Sequence, residues 1–227
     1  MLFLNQLGVF RLNSPASALR YFEQQLPRFV ALVLAITVHE FSHGFVATLF
    51  GDTLPRRVGR LTLNPLKHLD PIGTILILVG PIGWGRPMPI NPAGMRNPNV
   101  GWAMSSLAGP VSNVLAATLG AAVLAAARSE LDQTALRYVL AFILINVLLA
   151  VFNLLPVPPL DGFGVVFGLS PRPVKIALLP LQSYGPLILL AVIFLPVLRP
   201  ILDGFMSAGL ELILMPLEGV CQCQLIG

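Results

Sequence analysis

Residues 29–50 form an unbroken apolar run of 22 residues with an HExxH sequence, His39-Glu40-Phe41-Ser42-His43, at its middle. A helix of that length extends about 33 Å at 1.5 Å per residue, enough to cross a hydrocarbon core. No other feature limits the fold so sharply. The chain must hold three ionisable groups well below a membrane surface, where such groups are costly and mark function. At helical spacing His39 and His43 lie four apart on one face, near enough to bind one ion. Glu40 sits beside the pair, placed to take a proton from an attacking water.

Composition agrees with burial in lipid. Of 227 residues 56% are hydrophobic and 11% charged, and the mean hydropathy is +0.82. A soluble domain of this length needs far more charged surface. The expected fold class is an all-α polytopic membrane protein of about five to six transmembrane or partly inserted helices. A short strand or re-entrant element is expected near the site. One membrane-embedded domain is expected over 1–227, with an interfacial segment 1–28, a catalytic core 29–170 and C-terminal helices 171–227. The net charge of +4 is small and scattered, which argues against a nucleic-acid partner. Ala16-Ser17-Ala18 has the form of a cleavage site, but Asn5 and Gln6 break the apolar run before it. The first hydrophobic helix is therefore the expected insertion signal. Cys221 and Cys223 are poorly spaced for a disulfide and receive no role.

Beyond residue 50 the chain alternates polar loops with apolar runs. Residues 51–70 are basic, and 60–64 alternate polar and apolar as a short strand would. The run 71–84 is too short to cross comfortably and is expected to be re-entrant. A loop rich in Pro and Asn follows over 85–99, then a long Ala- and Gly-rich helix over 100–127 suited to close packing. Residues 128–132 form a turn and 134–155 a second full span. The Pro-rich stretch 156–172 is expected to be broken and non-uniform. In 174–217 five prolines leave one span around 184–198 and a shorter closing helix. If 71–84 does not cross, the basic loops 51–70, 85–99 and 156–175 share one side, assigned to the cytoplasm. The positive charge of 1–28 then conflicts with that rule.

A catalytic zinc takes three protein ligands and keeps one open position. Two come from the histidines. The residues alone leave three candidates for the third: Asp161 in Leu160-Asp161-Gly162, Asp203 in Leu202-Asp203-Gly204, and His68. Asp161 could equally cap a helix or make a turn. Asp203 suits a turn beside Arg199, and His68 suits a structural loop role. Asn146 and Asn153 could serve helix–helix hydrogen bonding, and Gly109-Pro110 and Asn113 packing or a kink.

At this point the ordered motifs resemble the site-2 protease family of intramembrane zinc metallopeptidases, peptidase family M50, in its compact bacterial and archaeal branch. The resemblance rests on HExxH, Ala108-Gly109-Pro110-Val111-Ser112-Asn113 and the run from Asn153 to Gly162. The stretches 59–73 and 83–92 add to it. Together it covers roughly residues 29–170. It implies Asp161 as third metal ligand beside His39 and His43, with one Zn2+ per chain. It also implies Glu40 and Asn153 as catalytic residues, Asn153 holding substrate or an oxyanion. The implied setting is a multi-pass protein of a prokaryotic cell membrane, its partners being the lipid bilayer and a transmembrane protein substrate.

The expected activity is hydrolysis of peptide bonds in or near substrate transmembrane segments, as in regulated intramembrane proteolysis. A substrate must be extended at the site, because a helix hides its carbonyls in its own hydrogen bonds. Strand addition along 60–64 or 86–91 would hold it, and 80–92 is the expected entry path. The rival is a non-catalytic membrane metal-binding or transport protein with a peptidase-like fold. A transporter would carry more ionisable groups through its spans, and a degenerate peptidase would lack Glu40.

Overall fold

The computed structural model describes residues 15–74 and 84–221. Helices account for its architecture: α1 (Pro15–Leu49), α2 (Leu54–Arg57), α3 (Pro98–Ala127), α4 (Gln133–Asn153), α5 (Asp161–Leu169), α6 (Arg172–Ser183), α7 (Gly185–Phe194) and α8 (Arg199–Cys221). Four of them contain stretches long and apolar enough to span a membrane: Phe22–Leu49, Pro98–Ala127, Gln133–Asn153 and Arg199–Gly219. A fifth span arises if α6 and α7, bent by 74° at Tyr184, count as one. The chain is an all-α, multi-pass membrane protein.

Local chemistry sets the helix ends. Gly51 adopts φ 109, and its N–H donates to Thr48 while that of Asp52 donates to Ala47, both at 3.0 Å. This is a Schellman ending, which favours glycine at the left-handed position. Asn97 caps α3 by accepting from Val100, and Pro98 supplies the fixed φ of a first turn. Asp132 caps α4 by accepting from Ala135 at 2.7 Å.

Helix α3 is central and packs against α1, α4, α5 and α8. Its Ala117, Ala121 and Leu124 meet Ile143, Val147 and Val151 of α4 and Leu214 and Leu217 of α8 in an apolar core. Small side chains on α3 let these helices approach closely, since packing rather than hydrophobic exclusion holds helices together in lipid.

Several expectations need correction. The first span does not begin at residue 29, because helix continues from Pro15 through Pro27. Glu23, Gln24 and Gln25 are good helix formers, so their polarity does not end the helix. Residues 1–14 of the expected interfacial segment lie outside the described residues. The stretch 60–64 bends instead of forming a strand. Its backbone bonds locally, with Arg60 and Leu61 N–H on Pro55 and Thr62 N–H on Arg60. In 156–172 the nine-residue α5 forms. The span expected at 184–198 is only the ten-residue α7, while the closing helix α8 has 23 residues. Pro200 sits in its first turn, where it costs no hydrogen bond, and Pro216 is tolerated as prolines in membrane helices are. Asp203 is consequently helical, not in a turn.

The chain leaves and rejoins the bundle at one end between α1 and α3. Arg96 N–H donates to Phe50 at 2.8 Å, and its guanidinium reaches Leu49 at 2.9 Å. Leu69 and Gly85 form an isolated antiparallel bridge. Residues 51–97 therefore make no net crossing. Of the expected re-entrant element, 71–74 is helical, and 75–83 and Cys223 lie outside the described residues.

Candidate metal centre

The site is assembled from three helices. One turn of α1 carries His39 and His43, whose ring centroids lie 4.5 Å apart at 89°. They are 6% and 5% exposed. The face of α3 opposite them presents Ser105, Gly109 and Asn113, spaced by one turn each. His39 Nδ1 lies 2.6 Å from Asn113 Oδ1, and His43 Nδ1 lies 2.6 Å from the Ser105 carbonyl. The Ser105 hydroxyl returns a 2.8 Å bond to the His43 carbonyl. Between them Gly109 leaves room for the rings. A Cβ there would stand 2.5 Å from His43 Cε1 and Nε2 and 2.6 Å from His39 Cε1.

The third element is α5, whose first residue is Asp161. It docks on α3 through Phe167, whose ring lies 4.9 Å from that of Trp102. Asp161 Oδ2 stands 3.1 Å from His39 Nε2, and Oδ1 stands 3.3 Å from His43 Nε2. Asp161 Oδ2 is buried yet has no hydrogen-bond partner. A buried carboxylate whose Oδ2 faces one imidazole nitrogen and whose Oδ1 faces the other suits a shared cation. Two donors bound at about 2.1 Å around a tetrahedral ion would lie roughly 3.4 Å apart, close to both separations. His39, Glu40 and His43 also bring ligand atoms within 4.8 Å of one another. The donor set fits zinc.

Glu40 faces a strap formed by residues 84–91. Met88 N–H donates to Glu40 Oε2 at 2.6 Å. The strap is tied down at each side. Arg86 N–H donates to the His68 carbonyl at 2.7 Å. Arg60 Nη2 donates to the carbonyls of Arg86 at 2.7 Å and Pro87 at 3.3 Å. Asn91 N–H donates to buried Asp52 at 2.7 Å. Burial, and next the charge of Arg86, hold the Arg60 guanidinium below its usual range.

The structure therefore brings His39, Glu40, His43 and Asp161 together. His68 is elsewhere: it is fully buried, its Nε2 is 2.7 Å from the Thr62 carbonyl, and its own carbonyl anchors the strap. Asp203 is exposed on α8. Asn153, half-buried at the end of α4, donates to the Leu149 carbonyl at 2.9 Å. Sequence reasoning gave Asn113 and Gly109 to packing or a kink and Asn146 to helix–helix hydrogen bonding, and missed Ser105 and Met88. The available signal was that two of these are amides inside otherwise apolar spans.

Residues 99–195 match the family model for Peptidase family M50. A Bacillus subtilis protein named "Putative zinc metalloprotease YwhC" is 38% identical over 204 residues, covering 85% of this chain and 91% of that protein. "Putative zinc metalloprotease Rip2" of Mycolicibacterium smegmatis is 32% identical over 182 residues, 74% of this chain and 66% of the relative. Rip2 of Mycobacterium tuberculosis H37Rv is 32% identical over 201 residues, 83% of this chain and 72% of the relative. No solved structure gives a significant match.

Proposed function

The chain belongs to peptidase family M50, the site-2 protease family, and on that basis we propose that it is a zinc endopeptidase cutting membrane proteins in or near their transmembrane segments. One zinc per chain would be held by His39, His43 and Asp161. The observation that carries this reading is the buried Asp161 oxygen, without a hydrogen-bond donor and 3.1 Å from His39 Nε2. When bound, the ion supplies Lewis acidity toward the scissile carbonyl and the attacking water.

The protein side chains do the rest. Glu40 takes the water's proton and delivers it to the leaving amine, and the Met88 N–H keeps its carboxylate aimed while it waits. A substrate segment must unwind beside the strap to expose its carbonyls to Glu40. Strand addition there is limited by Pro87 and Pro89, which have no N–H, and by the Arg86, Met88 and Asn91 amides already bonded within the protein. The described part of the entry path, 84–92, contains this strap. On this reading the Asn153 amide would leave the Leu149 carbonyl to hold the substrate or the developing oxyanion. The substrates are then membrane proteins cut in regulated intramembrane proteolysis, each unwinding a segment to reach the site.

The test compares membrane-protein stubs by proteomics in cells carrying wild type or Glu40→Gln. The variant should keep its zinc and lose cleavage by a factor on the order of 10²–10⁴. Full activity in Glu40→Gln would overturn the mechanism.

A further inference from the structure

An asparagine amide and a neutral imidazole are each ambivalent: either end of the amide can face a neighbour, and either ring nitrogen can carry the proton. A backbone carbonyl is not ambivalent, because it can only accept. His43 is settled in one step, since the Ser105 carbonyl at 2.6 Å requires a proton on Nδ1. His39 has no such carbonyl at Nδ1. It faces the side chain of Asn113.

The carbonyl that settles His39 lies two residues further on, in α4. Phe142 O accepts from Asn146 Nδ2 at 2.8 Å, which turns Asn146 Oδ1 toward α3. That oxygen accepts from Asn113 Nδ2 at 2.8 Å. The Ala35 carbonyl, 3.4 Å from the same nitrogen, favours the same orientation. Asn113 Oδ1 is then left for His39, whose Nδ1 must donate. Asn113 and Asn146 are both fully buried, so bulk water offers no competing partner.

We propose that Asn146 and Asn113 are positioning residues that fix the ring proton of His39 on Nδ1, leaving Nε2 bare toward Asp161 and the metal. The proposal rests on the zinc reading above. The relay spans three helices, and its polarity runs from the Phe142 carbonyl through two amides to the ligand. Partners of this kind, on the far side of a ligating histidine, set its tautomer and basicity. Without Asn146 the Asn113 amide can turn over. A turned amide offers N–H to His39 and drives the ring proton onto Nε2, the nitrogen that must be bare to bind.

The test measures zinc affinity of purified protein in detergent, by competition with a chelator of known strength. Asn113→Leu and Asn146→Leu should each weaken zinc by roughly tenfold to a hundredfold. The double variant should bind no more weakly than Asn113→Leu alone, because Asn146 acts only through Asn113. Thermal unfolding of the metal-free proteins separates this from a packing role, which would lower stability additively and leave affinity alone. Wild-type affinity in a folded Asn146→Leu protein, or losses that multiply in the double variant, would overturn the relay. If Asn146→Leu does not accumulate, Asn146→Ala removes the same acceptor and reads the same coupling. A wild-type protein that binds no zinc overturns the metal reading and the relay with it; zinc-binding wild type with an unaffected Asn146 variant overturns the relay alone.

Discussion

The amide of Met88 donates a 2.6 Å hydrogen bond to Glu40 Oε2, joining two residues 48 positions apart. Glu40 stands on α1, whereas Met88 stands on a strap outside any helix, between prolines at 87 and 89. The position of the carboxylate therefore depends on what ties the strap.

Arg60 is the first tie. Its guanidinium bonds the carbonyls of Arg86 and Pro87, immediately before Met88. Arg60→Ala should slow cleavage by roughly tenfold to a hundredfold, the usual cost of a catalytic group misplaced by about an ångström. Zinc content should not change, since no ligand is touched. Zinc loss in Arg60→Ala, or unaltered turnover, would contradict this assignment.

The two Leu-Asp-Gly triplets should separate cleanly. Asp161 faces both histidine Nε2 atoms, and Asp203 is exposed on α8. Asp161→Ala should abolish cleavage and strip zinc, leaving two ligands. Asp203→Ala should stay within about 0.5 kcal/mol of wild type in stability, as exposed substitutions usually do, with normal zinc content. Metal analysis of both variants decides the matter, and the reverse result would remove Asp161 from the site.

Gly109→Ala offers a test of the cradle that does not remove any donor. Its Cβ would meet both rings at 2.5–2.6 Å. Alanine is the better helix former by about 1 kcal/mol, so a weakened helix cannot explain a loss of function. Zinc affinity should fall at least about tenfold by analogy with losses of ligand support. A fully loaded, active Gly109→Ala protein would show that the rings do not need this approach.

Sidedness can be read by labelling introduced cysteines. Positions 57, 97 and 172 are exposed and should react from the cytoplasmic face, and position 130 from the other. The Arg96–Phe50 hydrogen bond places the ends of α1 and α3 together, so 57 and 97 should label alike. Opposite labelling of these two would contradict the return of the chain.

Legibility followed the range of the interactions. Helix α4 was expected at 134–155 and found at Gln133–Asn153, because apolar run length and an Asp cap are local properties. The final third was misread because a proline's effect depends on where in the turn it falls. Pro200 begins a long helix and Pro216 lies within it, and only packing and neighbouring backbone decide that. The strand expected at 60–64 lost to turns onto the Pro55 carbonyl, which an alternating pattern cannot foresee.

By itself the sequence determined that the chain lives in a membrane and that His39 and His43 share one helical face beside Glu40. Both follow from residue polarity and a 3.6-residue period. The order of its motifs further implied Asp161 as their companion. Only the tertiary structure decided what fills the space around them: Gly109 beneath the rings, the Ser105 carbonyl behind His43, Asn113 and Asn146 behind His39, and Met88 on Glu40. These partners come from positions 33 to 78 residues apart. No spacing rule links them, because contact at that range is set by how α1, α3 and α4 pack and by the requirement that every polar group buried between them find a partner.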